Sequence, residues 1–143
     1  MRSSDEINAP EALVLTMVLV SAADGGMTDR EIGIMAGLVQ TLPAFQDFTS
    51  EQLADVTERA ASLLNEDEGL AHAGRLMAAA LSPKLRETAY ALACEVAAGG
   101  RGGKRQTQDM LDFVRDELKL DTLICAALER GVRARYQRAD PAD

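Results

Sequence analysis

Apolar residues recur at helical spacing along almost the whole chain, and no segment alternates apolar and polar residues as a half-buried strand does. Helix-start signals divide this pattern. Thr28 precedes Glu31 by three residues, as in a capping box, and Pro43 and Ser82-Pro83 mark a helix end and a restart. The sequence therefore predicts an all-α protein, a compact bundle of about seven helices.

The chain is long enough to bury one core, because it has 143 residues of which 47% are hydrophobic. The longest apolar run, Leu13 to Val20, is much shorter than the roughly 20 residues of a membrane span and predicts a central buried helix. We expect an N-terminal tail, one helical domain and a frayed C-terminal tail, at residues 1–8, 9–137 and 138–143.

Two features bear on the cellular compartment. The first residues, Met1 to Glu6, contain acids where a secretory signal needs a positive region, so we expect a cytoplasmic protein. Cys94 and Cys125 lie far apart among apolar neighbours without metal-ligand spacing, which predicts buried, reduced thiols.

Several apolar stripes are expected to face the core. They include Ile32 with Met35 and Val39 in the second helix, Leu70 in the fourth and Ile124 in the seventh. Gly33 and Gly37 lie four residues apart inside the second helix, which predicts that another helix packs closely there.

The chain also resembles itself weakly. A shift of 76 residues brings Met35, Leu38 and Leu42 over Leu111, Val114 and Leu118. The same shift aligns the glycine-containing loop at residues 24–31 with the one at 100–107. We therefore predict an internal pseudo-repeat of two helix–loop–helix units.

Charge is distributed unevenly. Residues 1–72 contain 13 Asp and Glu against three Arg, whereas residues 73–143 contain 10 acids against 12 Lys and Arg. Such asymmetry favours an acidic face for cations and a basic face for anionic partners, although a solvated surface without a partner is the alternative.

The first loop concentrates carboxylates. Asp24, Asp29 and Glu31 lie within eight residues, beside the Gly25-Gly26 turn. With carbonyls of that turn, they form an all-oxygen ligand set that suits calcium or magnesium better than zinc. A purely structural explanation stays open, because Gly25 can close one helix while Thr28 and Glu31 cap the next.

The second loop concentrates positive charge among glycines. Arg101, Lys104 and Arg105 predict a site for an anion or an acidic partner at a helix start, and a flexible connection is the alternative. It is not a Walker loop, because Ala98 and Arg105 stand where Gly and Ser or Thr are required. Nucleic acid is not expected, since the chain is acidic and no aromatic residue is interleaved with these basic ones.

The run Ala22-Ala23-Asp24-Gly25, followed by Thr28-Asp29-Arg30-Glu31 and an amphipathic helix, resembles the signature of the TerB family of tellurite-resistance proteins. The resemblance covers about residues 10–136. It implies a cytoplasmic bacterial module of the tellurite and chemical stress response that binds metal or acts as a scaffold. It also implies association with a membrane complex through other proteins.

We therefore expect a non-enzymatic module that binds a divalent cation through Asp24, Asp29 and Glu31 and a protein partner through its acidic or basic face. A metal-free interaction or structural module is the alternative. No nucleophile–base pair or cofactor fingerprint predicts an enzyme, and His72, the only imidazole, is expected at the surface or core edge.

Overall fold

The computed structural model describes residues 6–23, 25–100 and 105–139. Within these ranges the chain forms seven α-helices and one short 3₁₀ turn, with no strand, which confirms the all-α prediction. No helix in this part of the chain is long and apolar enough to cross a membrane. The helices are α1 (Ala9–Ala22), α2 (Asp29–Thr41), α3 (Ser50–Leu64), α4 (Gly69–Ala80), α5 (Pro83–Gly99), α6 (Arg105–Glu117) and α7 (Thr122–Arg135), and the turn is Pro43–Phe45.

Local capping chemistry sets most of the helix starts. The predicted Thr28–Glu31 box forms at α2, a box of Thr49 and Gln52 begins α3, and Ser82 caps α5 through its side chain. The acidic run Asn65-Glu66-Asp67-Glu68 predicts the start of α4, because acids suit a helix N-terminus, but the helix begins at Gly69. The backbone nitrogens of Asn65 and Glu66 donate to the last carbonyls of α3, and Glu68 adopts a left-handed φ of 56°. The run is therefore the turn that ends α3.

Helix α1 is the centre of the bundle. It packs against α2, α3, α4, α5 and α6, and every residue from Ala12 to Val20 is at most 3% exposed. Such a helix, apolar on all sides, is stable only when neighbours cover each face. The second central helix, α5, packs against both α1 and α7.

The internal pseudo-repeat is visible in the helix bounds. Helix α6 begins and ends 76 residues after α2. The packing is reciprocal, since α2 lies against α5 and α6 lies against α1. Met35 and Leu111, which the shift aligns, are both buried. Two similar units therefore cross-pack around the α1–α5 pair.

The prediction of burial is wrong for three residues. Ile32, Leu70 and Ile124 are 46%, 37% and 37% exposed. For Ile32 and Ile124 the reason is that α2 and α7 lie at the outside of the bundle, where one narrow face is enough to cover the core. Met35 and Val39 fill that role in α2, and Cys125 and Val132 fill it in α7.

The packing expected at Gly33 and Gly37 is also wrong. Both glycines are exposed, and a Cβ built on either would meet nothing within 4 Å. No other described helix approaches this face of α2. The prediction for the cysteines is confirmed, because Cys94 and Cys125 are free and buried.

Candidate functional site

The acidic first loop ends in a rigid helix start. Gly25 and Gly26 have φ values of 119° and 125°, which disfavour any residue with a side chain. The backbone nitrogen and hydroxyl of Thr28 both donate to Oε1 of Glu31, at 2.9 and 3.1 Å, and the Glu31 nitrogen donates back to the hydroxyl at 3.2 Å. The predicted capping box is therefore complete.

The predicted cation ligands have different environments. Glu31 is only 4% exposed and one of its oxygens belongs to the cap, whereas Asp29 is exposed in the first turn of α2. Asp24 lies outside the described residues. In the ranges that the structure describes, no group of three or more His, Cys, Asp and Glu side chains could hold a metal ion. Whether Asp24 completes such a group stays a prediction.

The end of α5 lies directly against the first turn of α2. The Arg30 Nε donates to the Gly99 carbonyl oxygen. A Cβ on Gly100 would come within 2.6 Å of Glu31 Oε2 and 3.0 Å of the Val96 carbonyl, so a side chain there would require the Glu31 carboxylate to move. The start of the basic second loop and the end of the acidic first loop therefore meet at one end of the bundle.

Of the predicted anion-binding residues, the structure describes only Arg105, which is exposed at the first position of α6. Arg101 and Lys104 lie outside the described residues. An open groove of about 620 Å³ lies between α5, α6 and α7, and Arg105, Arg133 and Tyr136 are among the residues that line it.

An ion pair between a buried carboxylate and an exposed arginine at the same end was not predicted from the sequence. Glu95, in α5, is 7% exposed, and its Oε1 lies 2.6 Å from Nε of Arg135 at the end of α7. Its Oε2 is buried and has no hydrogen-bond partner in the described structure. The pKa of Tyr136 is raised, first by burial and then by this carboxylate. The sequence signal was available, because Glu95 interrupts the apolar stripe of α5.

Deeper along α5 lies a second polar group, which is structural. The Tyr90 hydroxyl donates to Glu129 Oε2 at 2.8 Å, and burial, aided by this bond, raises the pKa of Tyr90 well above its usual range. Burial also raises the pKa of the nearby Cys94 thiol to about 12. Because a thiol is nucleophilic only when ionised, this cysteine is not suited to act as a nucleophile near neutral pH.

The only imidazole lies away from these loops. His72 is half-buried, as predicted for a residue at the core edge, and lines a cavity of about 190 Å³ between α1, α3 and α4. Glu11, Arg59 and Glu66 also line this cavity, and Arg59 lies 3.4 Å from Glu11. The ion pair partly neutralises the acids around the cavity.

Comparison with known proteins gives no relative: no family model, curated protein or solved structure matches the chain.

Proposed function

We propose that the chain is a non-enzymatic, TerB-like helical module that binds a hard divalent cation at the loop between α1 and α2. The observation that carries this proposal is the state of Glu31. Its Oε1 alone accepts both cap bonds, so the cap leaves Oε2 available at the meeting point of the two loops. A carboxylate that is already fixed loses little conformational entropy when it binds an ion.

The remaining ligands would come from the same loop. Asp29 lies two residues from Glu31, and the Gly25-Gly26 turn would supply backbone carbonyls of the kind that calcium accepts among its six to eight oxygens. Asp24 would supply the further negative charge that is needed, because the positive end of α2 disfavours a cation. The resemblance to the TerB family supports a role in a bacterial tellurite or chemical stress response, in the cytoplasm.

The test is a calorimetric titration of chelator-treated protein with calcium, magnesium and zinc, accompanied by thermal melting. A ligand that binds only the folded state must raise the melting temperature. At a ligand concentration of 100 times Kd, the free energy of unfolding should increase by about 2.7 kcal/mol. We expect calcium or magnesium to give this rise. No rise with any of the three ions would refute the proposal.

The variant that locates the site is Asp24→Asn combined with Glu31→Gln. Glutamine keeps the helix cap, as α3 demonstrates, where Gln52 accepts from the Thr49 nitrogen at 2.8 Å. The double variant should therefore fold and lose cation binding. Glu51→Gln is the matched control, since Glu51 is an exposed acid in the first turn of α3. Binding that survives the double substitution would exclude these ligands.

A metal-free interaction module is the second candidate, and one observation favours it. Ile32 is 46% exposed on a groove between α2 and α3 that is lined mostly by apolar residues, and contiguous exposed apolar surface is typical of interaction sites. The same titration separates the two candidates, because a metal-free module would bind no cation. Its partner would bind at this groove.

A further inference from the structure

The groove between α2 and α3 is an apolar surface that no other part of the described chain covers. It has a volume of about 470 Å³ and is lined by Met27, Ile32 and Met35 on one side and by Leu53, Ala54, Thr57 and Ala61 on the other. Ile32 is the most exposed of the large apolar groups there, although its helical spacing predicts burial. Ile32 therefore follows the apolar spacing of a core residue, but no part of the described chain covers it.

The rim of this groove is acidic. Glu58 lines the groove, and Asp55 and Glu51 lie on the same exposed face of α3, one and two helical turns earlier. Asp55 pairs with Arg59 at 3.5 Å, and neither Glu51 nor Glu58 is in an ion pair within the described residues. An occupant that matches this surface must combine an apolar stripe with basic side chains.

Helix α7 presents such a surface to solvent. Leu123 is 75% exposed, more than any other large apolar residue in the described chain, and Ile124 beside it is 37% exposed. Ala127 and Arg130 follow Leu123 at helical spacing, and both are exposed. Arg130 and Arg133 form no ion pair within the described residues, in contrast to Arg135, which binds Glu95.

The two surfaces also agree in length and cannot meet within one molecule. Helices α7 and α3 have 14 and 15 residues, so they are about 21 and about 23 Å long. Helix α7 is held against α5 through buried Cys125 and Val132, which keeps its other face directed outward. The complementary charge of the two surfaces favours a second copy of the chain as the occupant.

We propose that α7 of one molecule docks in the α2–α3 groove of another. Leu123 and Ile124 would bury against Ile32 and its neighbours, and Arg130 and Arg133 would face Glu51 and Glu58. Because the two surfaces differ, the contact is heterologous, and repetition gives either a closed ring or an open chain. This inference is independent of cation binding and is tested in chelator.

Sedimentation velocity across a concentration series is the measurement. The wild-type sedimentation coefficient should rise with concentration, and salt should reduce the rise because it screens the charged rims. Ile32→Asp and Leu123→Asp should each weaken association by about tenfold or more, since docking would bury a carboxylate against an apolar surface. Both positions are exposed, so the variants should keep their helical spectra.

A mixture of the two variants distinguishes this interface from a symmetric one. Ile32→Asp keeps an intact α7 and Leu123→Asp keeps an intact groove, so together they should form a 1:1 complex that does not extend. Leu70→Asp is the control, because Leu70 is exposed on α4 and should not affect association.

Three results would overturn the proposal. The first is a wild-type protein that stays monomeric at every concentration, and the second is variants that associate as the wild type does. The third is a mixture that stays monomeric although the wild type associates, which would indicate a symmetric contact. If a basic amphipathic peptide occupied the groove of a monomeric wild type, the occupant would be another protein.

Discussion

The two cross-packed units, α1–α2 and α5–α6, have the same layout but bury different chemistry in their inner helices. Leu19 of α1 is fully buried, and the residue 76 positions later is Glu95 of α5, which is 7% exposed. Glu95 is tolerated because α5 is covered at this point by the end of α7, which brings Arg135 to its carboxylate. The comparison shows that the repeat preserves backbone packing more strictly than side-chain polarity.

The outer helices of the two units differ in the same way. Glu31 and Thr107 occupy equivalent, buried positions near the starts of α2 and α6. In the first unit this residue is a carboxylate in a capping box, whereas in the second it is a neutral hydroxyl beside a basic sequence. The repeat therefore keeps this position buried while the charge of its side chain changes.

The largest expected loss of stability comes from a charged substitution in α1, the central helix of the first unit. Replacing Leu19 by Asp gives α1 the charge that α5 already carries at Glu95, but without an arginine to pair with it. Loss of the leucine and burial of an unpaired carboxylate should together cost at least about 5 kcal/mol, comparable to the whole stability of a small domain. Circular dichroism should show an unfolded chain.

The exposed control Leu70→Asp should remain helical and should unfold near the wild-type urea midpoint. A Leu19→Asp variant with wild-type stability would contradict the buried position of α1 in this fold.

A smaller effect is expected when the Glu95–Arg135 pair of the second unit is broken. Arg135→Gln should destabilise the protein by about 1 to 2 kcal/mol, because it leaves Glu95 unpaired, although Arg135 itself is 64% exposed and partly screened. Glu95→Leu, which copies Leu19 of α1, should be neutral or slightly stabilising. Adding Arg135→Gln to Glu95→Leu should then cost almost nothing.

Urea unfolding of the two single variants and the double variant measures these differences. Arg133→Gln is the control, since Arg133 lies on the same helix and forms no ion pair within the described residues. A Glu95→Leu variant less stable than Arg135→Gln would mean that Glu95 has a role beyond its pair with Arg135.

Helical periodicity and capping residues were enough to predict the seven helices and the repeat, because both depend on local sequence. The Thr28–Glu31 and Thr49–Gln52 boxes set their helix starts through bonds over three residues. The start of α4 was missed because Asn65 and Glu66 bond to the end of α3 and Glu68 is left-handed. Acidic composition does not distinguish the turn that ends one helix from the start of the next.

Exposure was less predictable than secondary structure. Apolar spacing cannot tell which helices will have neighbours on both sides, and so it placed Ile32 and Ile124 in the core. Local sequence also could not predict the Glu95–Arg135 pair, because these two residues are 40 positions apart. Only the close approach of α5 and α7 makes Glu95 a tolerable core residue.

The last prediction concerns the basic loop and should barely change stability. Replacing Arg101, Lys104 and Arg105 together by Ser removes three positive charges at positions equivalent to the acidic first loop. We expect weaker binding of a phosphate-bearing probe such as pyrophosphate, measured by titration calorimetry at low ionic strength. Cation binding at the first loop should be unchanged, because its carboxylates are intact.

The salt dependence of that titration identifies what the loop contributes. Attraction between exposed charges decreases steeply with salt, whereas backbone amides at the start of a helix hold an anion with a weaker dependence. A triple variant that lost only the salt-sensitive part of the affinity would indicate that the amides at the start of α6 also bind. If wild type and variant bind pyrophosphate equally at every salt concentration, the basic loop is a connector, and its difference from the acidic loop has no role in anion binding.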